Sequence, residues 1–256
     1  MKIALLHLDL AGGPRDKNES LLLHASKRAA EKGASIIVTP ETALEGYYFY
    51  MRDPVALERM PVHRSSDFRH FQNLAKEKNL TIFLSAVEKE KNGRAYNSCF
   101  FLAPDGEEKG AHRKMYSHRM GAEAWLSVGS SIHIFPVTPL RVGVLVCSDV
   151  YYEKSCRAMK EAMADLVIVS AAWPPASCCP DPLAVWEKSS LWCGCPIVLC
   201  NQTGHYKRMD MTRGDSAVLS EGKCLMSYRG DPAVLLFDYD EVKRKVRSQT
   251  FEVLPC

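Results

Sequence analysis

Cys147 closes the apolar run Val142-Gly143-Val144-Leu145-Val146 and is followed by Ser148 and Asp149. A thiol at the end of a buried strand is either a small core residue or a nucleophile. The nucleophile is the thiolate, and a free cysteine is mostly protonated at neutral pH, so a base, a cation, or both must stand beside it. The histidines His7, His24, His63, His70, His112, His118, His133 and His205 offer no obvious strand-end partner of the kind a Cys-His protease uses. Glu41, behind "SIIVTP", and Lys114, behind "GAHR", offer another route, with a carboxylate as proton acceptor and an ammonium as fixed positive charge. Singly, each has an ordinary reading. A glutamate after proline suits a solvated turn, and a lysine in "HRK" usually faces water.

Their placement depends on the elements around them. "KIALLHL" reads as a first strand, residues 20–32 as a helix with Leu22, Ala25, Ala29 and Ala30 near one face and Gly33 as its stop, and "SIIVT" as a strand ending at Pro40-Glu41. A helix over 67–78 leads to the strand "TIFLSA", and residues 96–117 read as a hairpin turning at Pro104-Asp105-Gly106. The Cys147 strand is followed by a helix over 153–164 with Cys156, Met159 and Met163 inward, the strand "LVIVS", a helix near 183–193 and the strand "IVLC" ending on Asn201. Strands around 216–219 and 233–237 complete an α/β pattern, expected as one domain over residues 1–256. In α/β sheets chemistry gathers beyond the carboxyl ends of strands. Those ends carry Glu41, Cys147, Trp173 and Asn201, and Lys114 follows the second arm of the hairpin.

The 33 basic and 30 acidic side chains leave a net charge of +3, far from the footprint of a nucleic-acid binder, and "EVKRKVR" reads as a solvated face. No segment approaches the roughly 18 apolar residues of a membrane helix, and "MKIALLHLDLAGG" resembles a signal peptide only superficially, so a cytoplasmic protein without membrane partners is expected. Ten cysteines in 256 residues fall below the roughly 8–10% density of disulfide scaffolds. Cys178-Cys179 and Cys193-Gly194-Cys195 lack paired C-x2-C spacing and are read as structural thiols, with no metal and no organic cofactor expected.

The sequence resembles the nitrilase (carbon–nitrogen hydrolase) superfamily over nearly its whole length. "VTPETALEGYYF", "YNSCFFLAPDGEEKGAHRKMY" and "VGVLVCSD" are similar to its three catalytic blocks, and "SAAWPP", "CPIVLCNQTG" and "RGDSAVLSEGKCL" match later landmarks in order. The resemblance implies an α/β four-layer α-β-β-α sandwich assembled as homodimers or larger oligomers. It also implies Glu41 as general base, Lys114 as catalytic lysine, Cys147 as nucleophile and Glu123, in "GAEAWLSVG", as a fourth site residue. The backbone N–H of Ser148 is expected to join Lys114 at the oxyanion, with Trp173, Tyr47, Trp125 and Tyr151 as candidate pocket walls.

Many members read C-x-D-x-R-F-P-E after the nucleophile, whereas this chain reads Cys147-Ser-Asp-Val-Tyr-Tyr-Glu153. In relatives that cleave N-carbamoyl amino acids an arginine near here helps hold the substrate carboxylate, so its absence argues against that class. A small amide is the expected substrate. A nitrile, an N-carbamoyl compound or acyl transfer would use the same three residues, and a non-catalytic binding or thiol-redox module would have little reason to keep all three.

Overall fold

The computed structural model describes every residue except His118, Cys178, Lys207 and Arg208, and Met209 by its backbone. The first sheet contains the parallel strands β1 (Lys2–His7), β2 (Ala34–Val38) and β3 (Thr81–Lys89), then β4 (Ala95–Leu102) and β5 (Glu108–Arg113) as antiparallel returns. The second sheet contains β6 (His133–Val137), β7 (Leu140–Val146), β8 (Leu166–Ser170) and β9 (Ile197–Cys200), with β7, β8 and β9 parallel. A two-stranded hairpin, β10 (His205–Tyr206) and β11 (Met209–Asp210), precedes β12 (Ser216–Ser220) and β13 (Lys223–Tyr228), which extend the second sheet. The chain then returns to the first sheet as β14 (Ala233–Asp240) beside β1, flanked by β15 (Lys245–Val246) and β16 (Glu252–Pro255).

Side-chain alternation stacks these sheets. Along β1, Ile3 and Leu5 join the core that also contains Val142, Val144 and Val146 of β7, while Ala4 and Leu6 pack with Leu22, Ala25 and Ala29. Those last three lie on helix α1 (Arg15–Glu31). Past the short α2 (Phe49–Arg52) and α3 (Ala56–Arg59), α4 (Arg69–Lys78) adds Phe71 and Leu74 to the same outer layer. Helices α5 (Glu153–Glu161) and α6 (Pro182–Cys193) cover the second sheet with Met159, Trp186 and Cys193. The result is the expected α-β-β-α sandwich. Each fully buried aliphatic or aromatic side chain contributes roughly 1.5–3 kcal/mol. Gly143 shows how tightly α5 is packed, because a Cβ there would sit 2.6 Å from Met159 Sδ. Period 2 then turns Val142, Val144 and Val146 toward the first sheet.

Helix α1 begins earlier than its apolar periodicity predicts, because Asn18 anchors its first turns. Its Nδ2 donates to the carbonyls of Leu10 (2.9 Å), Ala43 (3.0 Å) and Leu44 (3.2 Å), tying α1 to the loop after Glu41. Met163 corrects the sequence reading. Helix α5 ends at Glu161, and Met163 has φ 54° and is 68% exposed in the turn to β8 rather than facing inward. Gly194 does close α6, at φ 67°. No described helix is long and apolar enough to cross a membrane.

Candidate active site

Glu41 lies just beyond β2, Lys114 just beyond β5 and Cys147 just beyond β7, and the stacked sheets bring the three together. Lys114 N–H donates to Asn97 O at 2.8 Å, extending the β4–β5 ladder by one rung and fixing where the lysine side chain leaves the sheet. Cys147 has φ 45°, in the left-handed region that costs a residue bearing a Cβ about 1–2 kcal/mol. The short 3-10 turn Cys147–Tyr151 begins there, so the thiol sits at a sharp strand-to-helix corner.

Lys114 Nζ stands 2.6 Å from Glu41 Oε1 and also donates to Glu123 Oε1. Asn97 Nδ2 donates to Glu41 Oε1 (2.7 Å) and the Ala172 N–H donates to Oε2 (3.0 Å). Gln202 Nε2 holds the Glu41 carbonyl at 2.5 Å. Glu123 is held by Ser117 Oγ (2.8 Å) and the Tyr47 hydroxyl (3.3 Å).

Burial dominates the electrostatics. It raises the Glu41 pKa above the ordinary carboxylate value despite the opposing Lys114 charge and a hydrogen bond from Cys147. Burial works against the Lys114 ammonium, but Glu41, Cys147 and Glu123 together hold its pKa well above normal. Burial and the Glu41 charge push the Cys147 thiol well up, with Lys114 opposing them. At Glu123 burial is outweighed, chiefly by Lys114, and its pKa falls. Burial thus disfavours the thiolate on Cys147, and Glu41 and Lys114 are the charged groups that act on the thiol most strongly. The arrangement is suited to passing the thiol proton to Glu41 as the sulfur attacks, without a preformed thiolate.

Lys114, Glu123, Cys147 and Ser148 open on a cavity of about 290 Å³, which Tyr47, Tyr151, Tyr152, Trp173 and Pro174 also line. A larger groove of about 540 Å³ lies elsewhere, but its Arg113 is already paired with Glu88 and Glu90. Cys179 lines the smaller cavity, while its neighbour Cys178, like His118, lies outside the described residues. Cys193 is buried in the core with Cys156, and among the described residues no three His, Cys, Asp or Glu side chains group as metal ligands.

One expected pocket wall, Trp125, and one strand-end residue, Asn201, stand elsewhere. Trp125 does not line the cavity; its ring packs 5.1 Å from Phe49 and its Nε1 donates to Ala122 O at 2.7 Å. It buttresses the turn that carries Glu123. Asn201 acts behind the wall, its amide bonding Trp173 N and O at 2.8 Å each and so fixing that residue's backbone.

Sequence reasoning missed Asn97 and Asp149. Both are buried polar residues in or beside apolar runs, which is the signal that could have found them. Asp149 accepts from the N–H groups of Val146 (3.1 Å), Met115 (2.9 Å) and Tyr116 (2.9 Å). His112 Nε2, 3.0 Å away, completes the set as a donor, since a carboxylate can only accept. One side chain thus couples the Lys114 segment to the Cys147 corner. Asp149→Asn places an NH2 where an acceptor is required, and we expect it to cost about 1–3 kcal/mol of stability and to lower turnover. Urea denaturation and a rate assay check this; unchanged values in both would show that the clamp has no role.

A model of the family described as carbon-nitrogen hydrolase matches residues 3–225, and the chain belongs to that family. Among relatives, it is 27% identical over 158 residues to the omega-amidase NIT2 of Xenopus tropicalis, covering 57% of this chain and 55% of that one. It is 29% identical over 156 residues to the N-carbamoylputrescine amidase of Solanum tuberosum, covering 57% and 50%. The chain spans about half the length of the curated relatives it matches. A solved structure of a mutant amidase from Nesterenkonia sp. AN1, with acrylamide added at its active site cysteine, superposes with a TM-score of 0.80 at 20% identity. That superposition covers 94% of this chain and 93% of the other, and it shows the shared fold.

Proposed function

We propose that this chain, as one carbon–nitrogen hydrolase unit over residues 1–256, hydrolyses a small amide through a thioester on Cys147. The observation that carries the reading is the Lys114 ammonium bridging two buried carboxylates, 2.6 Å from Glu41, in a site whose cavity is lined by Lys114 and the Cys147 thiol together. The sulfur attacks the amide carbonyl carbon while its proton passes to Glu41. Lys114 and the Ser148 N–H stabilise the oxyanion, and Glu123 keeps Lys114 aimed. The tetrahedral species collapses, Glu41 returns the proton to the departing ammonia, and an acyl thioester remains. Glu41 then takes a proton from water as it attacks the thioester, and passes it to the released sulfur. Amides come first among substrates because the first relative above is named an omega-amidase, and the second, named for N-carbamoylputrescine, keeps carbamoyl compounds in the comparison.

Ammonia release from a panel of small amides, carbamoyl compounds and nitriles tests the reading, and we expect amides to react fastest. Overnight dialysis against a chelator should leave the rate unchanged, because every step draws on Glu41, Lys114 and Cys147. No ammonia from any class would overturn the proposal, and a rate lost to the chelator and restored by zinc would overturn its mechanism.

A further inference from the structure

We propose that the acyl group accepted by this cavity is uncharged and apolar, and that Trp173 and Tyr151 select it. The inference rests on the amide-hydrolase reading above and adds the substrate class. Trp173 presents its ring to the cavity 6.3 Å from Tyr151, and the buried Trp186 meets it edge-on at 5.6 Å and 82°. With its backbone held by Asn201, the indole is a fixed wall rather than an adaptable one. Tyr152 is similarly braced, stacked on Tyr116 at 3.7 Å.

Charge selects in the same direction. Among the described lining residues Lys114 is the one cation, and it is already committed to Glu41 and Glu123. Glu123 is in turn occupied by Lys114, Ser117 and Tyr47. Among the described lining residues, a substrate carboxylate would therefore meet no free cation, with the Glu41 and Glu123 carboxyls nearby, and a substrate ammonium would meet no free carboxylate. Burying either charge unpaired is strongly unfavourable, whereas apolar carbon against these rings is not. A closed apolar cavity of about 150 Å³ holds benzene, so about 290 Å³ admits one ring or a short chain together with its carboxamide.

The test compares pentanamide and benzamide with the carboxylate-ended glutaramate and the ammonium-ended 5-aminopentanamide. We expect kcat/KM for the uncharged pair to exceed both charged amides by at least about tenfold. It should also rise about fourfold per methylene from propanamide to pentanamide. Tyr151→Arg, at a half-exposed position that tolerates a long side chain, should raise the glutaramate-to-pentanamide ratio at least about tenfold. The same amides are also compared for protection of Cys147 against iodoacetamide, read by peptide mass spectrometry, which needs no turnover. Charged amides used or protecting as well as uncharged ones would overturn the inference. Selective protection by the uncharged amides without turnover of any amide would support it while overturning the proposed function.

Discussion

Glu41→Gln is expected to slow acylation by about 10²–10⁴-fold and to leave any thioester that forms on Cys147 intact, because the same carboxylate serves both half-reactions. The substitution keeps the side chain's shape, but its one oxygen can accept from Lys114 Nζ or from the Ala172 N–H and not from both, so its unfolding midpoint is measured beside its kinetics. Lys114→Ala should behave differently. Losing an oxyanion donor costs about 2.7–4 kcal/mol of barrier, so little adduct should form at all. That variant also leaves Glu41 and Glu123 facing each other without their cation, a loss of about 3–5 kcal/mol when one partner of a buried pair is removed. Its unfolding midpoint must therefore be measured beside its kinetics. Intact-protein mass spectrometry during reaction with an activated ester separates the two outcomes. The pH profile supplies a second sign. The Glu41 pKa is raised by burial, so the base form is lost as pH falls through a value above the ordinary carboxylate range. The acid limb of kcat/KM should lie there, and Glu41→Gln should abolish it. If Glu41→Gln clears its adduct as fast as the unmodified protein, Glu41 is not the base.

Replacing each of the ten cysteines by serine in turn should abolish turnover only at Cys147, by at least about 10⁴-fold. Among the described residues, Cys99 and Cys195 lack its surroundings. Burial pushes Cys99 up to about 11 and Cys195 up to about 12, with no ammonium offsetting it at either. Cys156, Cys193 and Cys200 are core residues, so their replacements should cost stability more than rate. Cys179 lines the cavity and should alter KM before kcat. Ammonia release and urea denaturation on the same preparations separate these effects. A Cys147→Ser protein with near-normal hydrolysis would remove the nucleophile from the mechanism.

The sequence alone located Glu41, Lys114 and Cys147 at the ends of strands, because apolar runs and the polar residues that stop them are local signals. It also set the hairpin at Gly106, which has φ 84°, the close of α6 at Gly194, and the burial of the apolar run over residues 142–146 in β7. Only the tertiary structure decided which strand ends meet. Glu41 and Lys114 are 73 residues apart, and their contact depends on β2 and β5 sharing a sheet. It also decided that Asp149 couples the Lys114 segment to the Cys147 corner, and that Asn97 supports Glu41 from β4. The aromatic residues divide in the same way. Trp173 faces the cavity and Trp125 packs beside Phe49, although both follow short polar or small residues in the chain. Periodicity states that a side chain is buried; whether it is buried against substrate or against core depends on which distant surface arrives opposite it, and no local pattern encodes that.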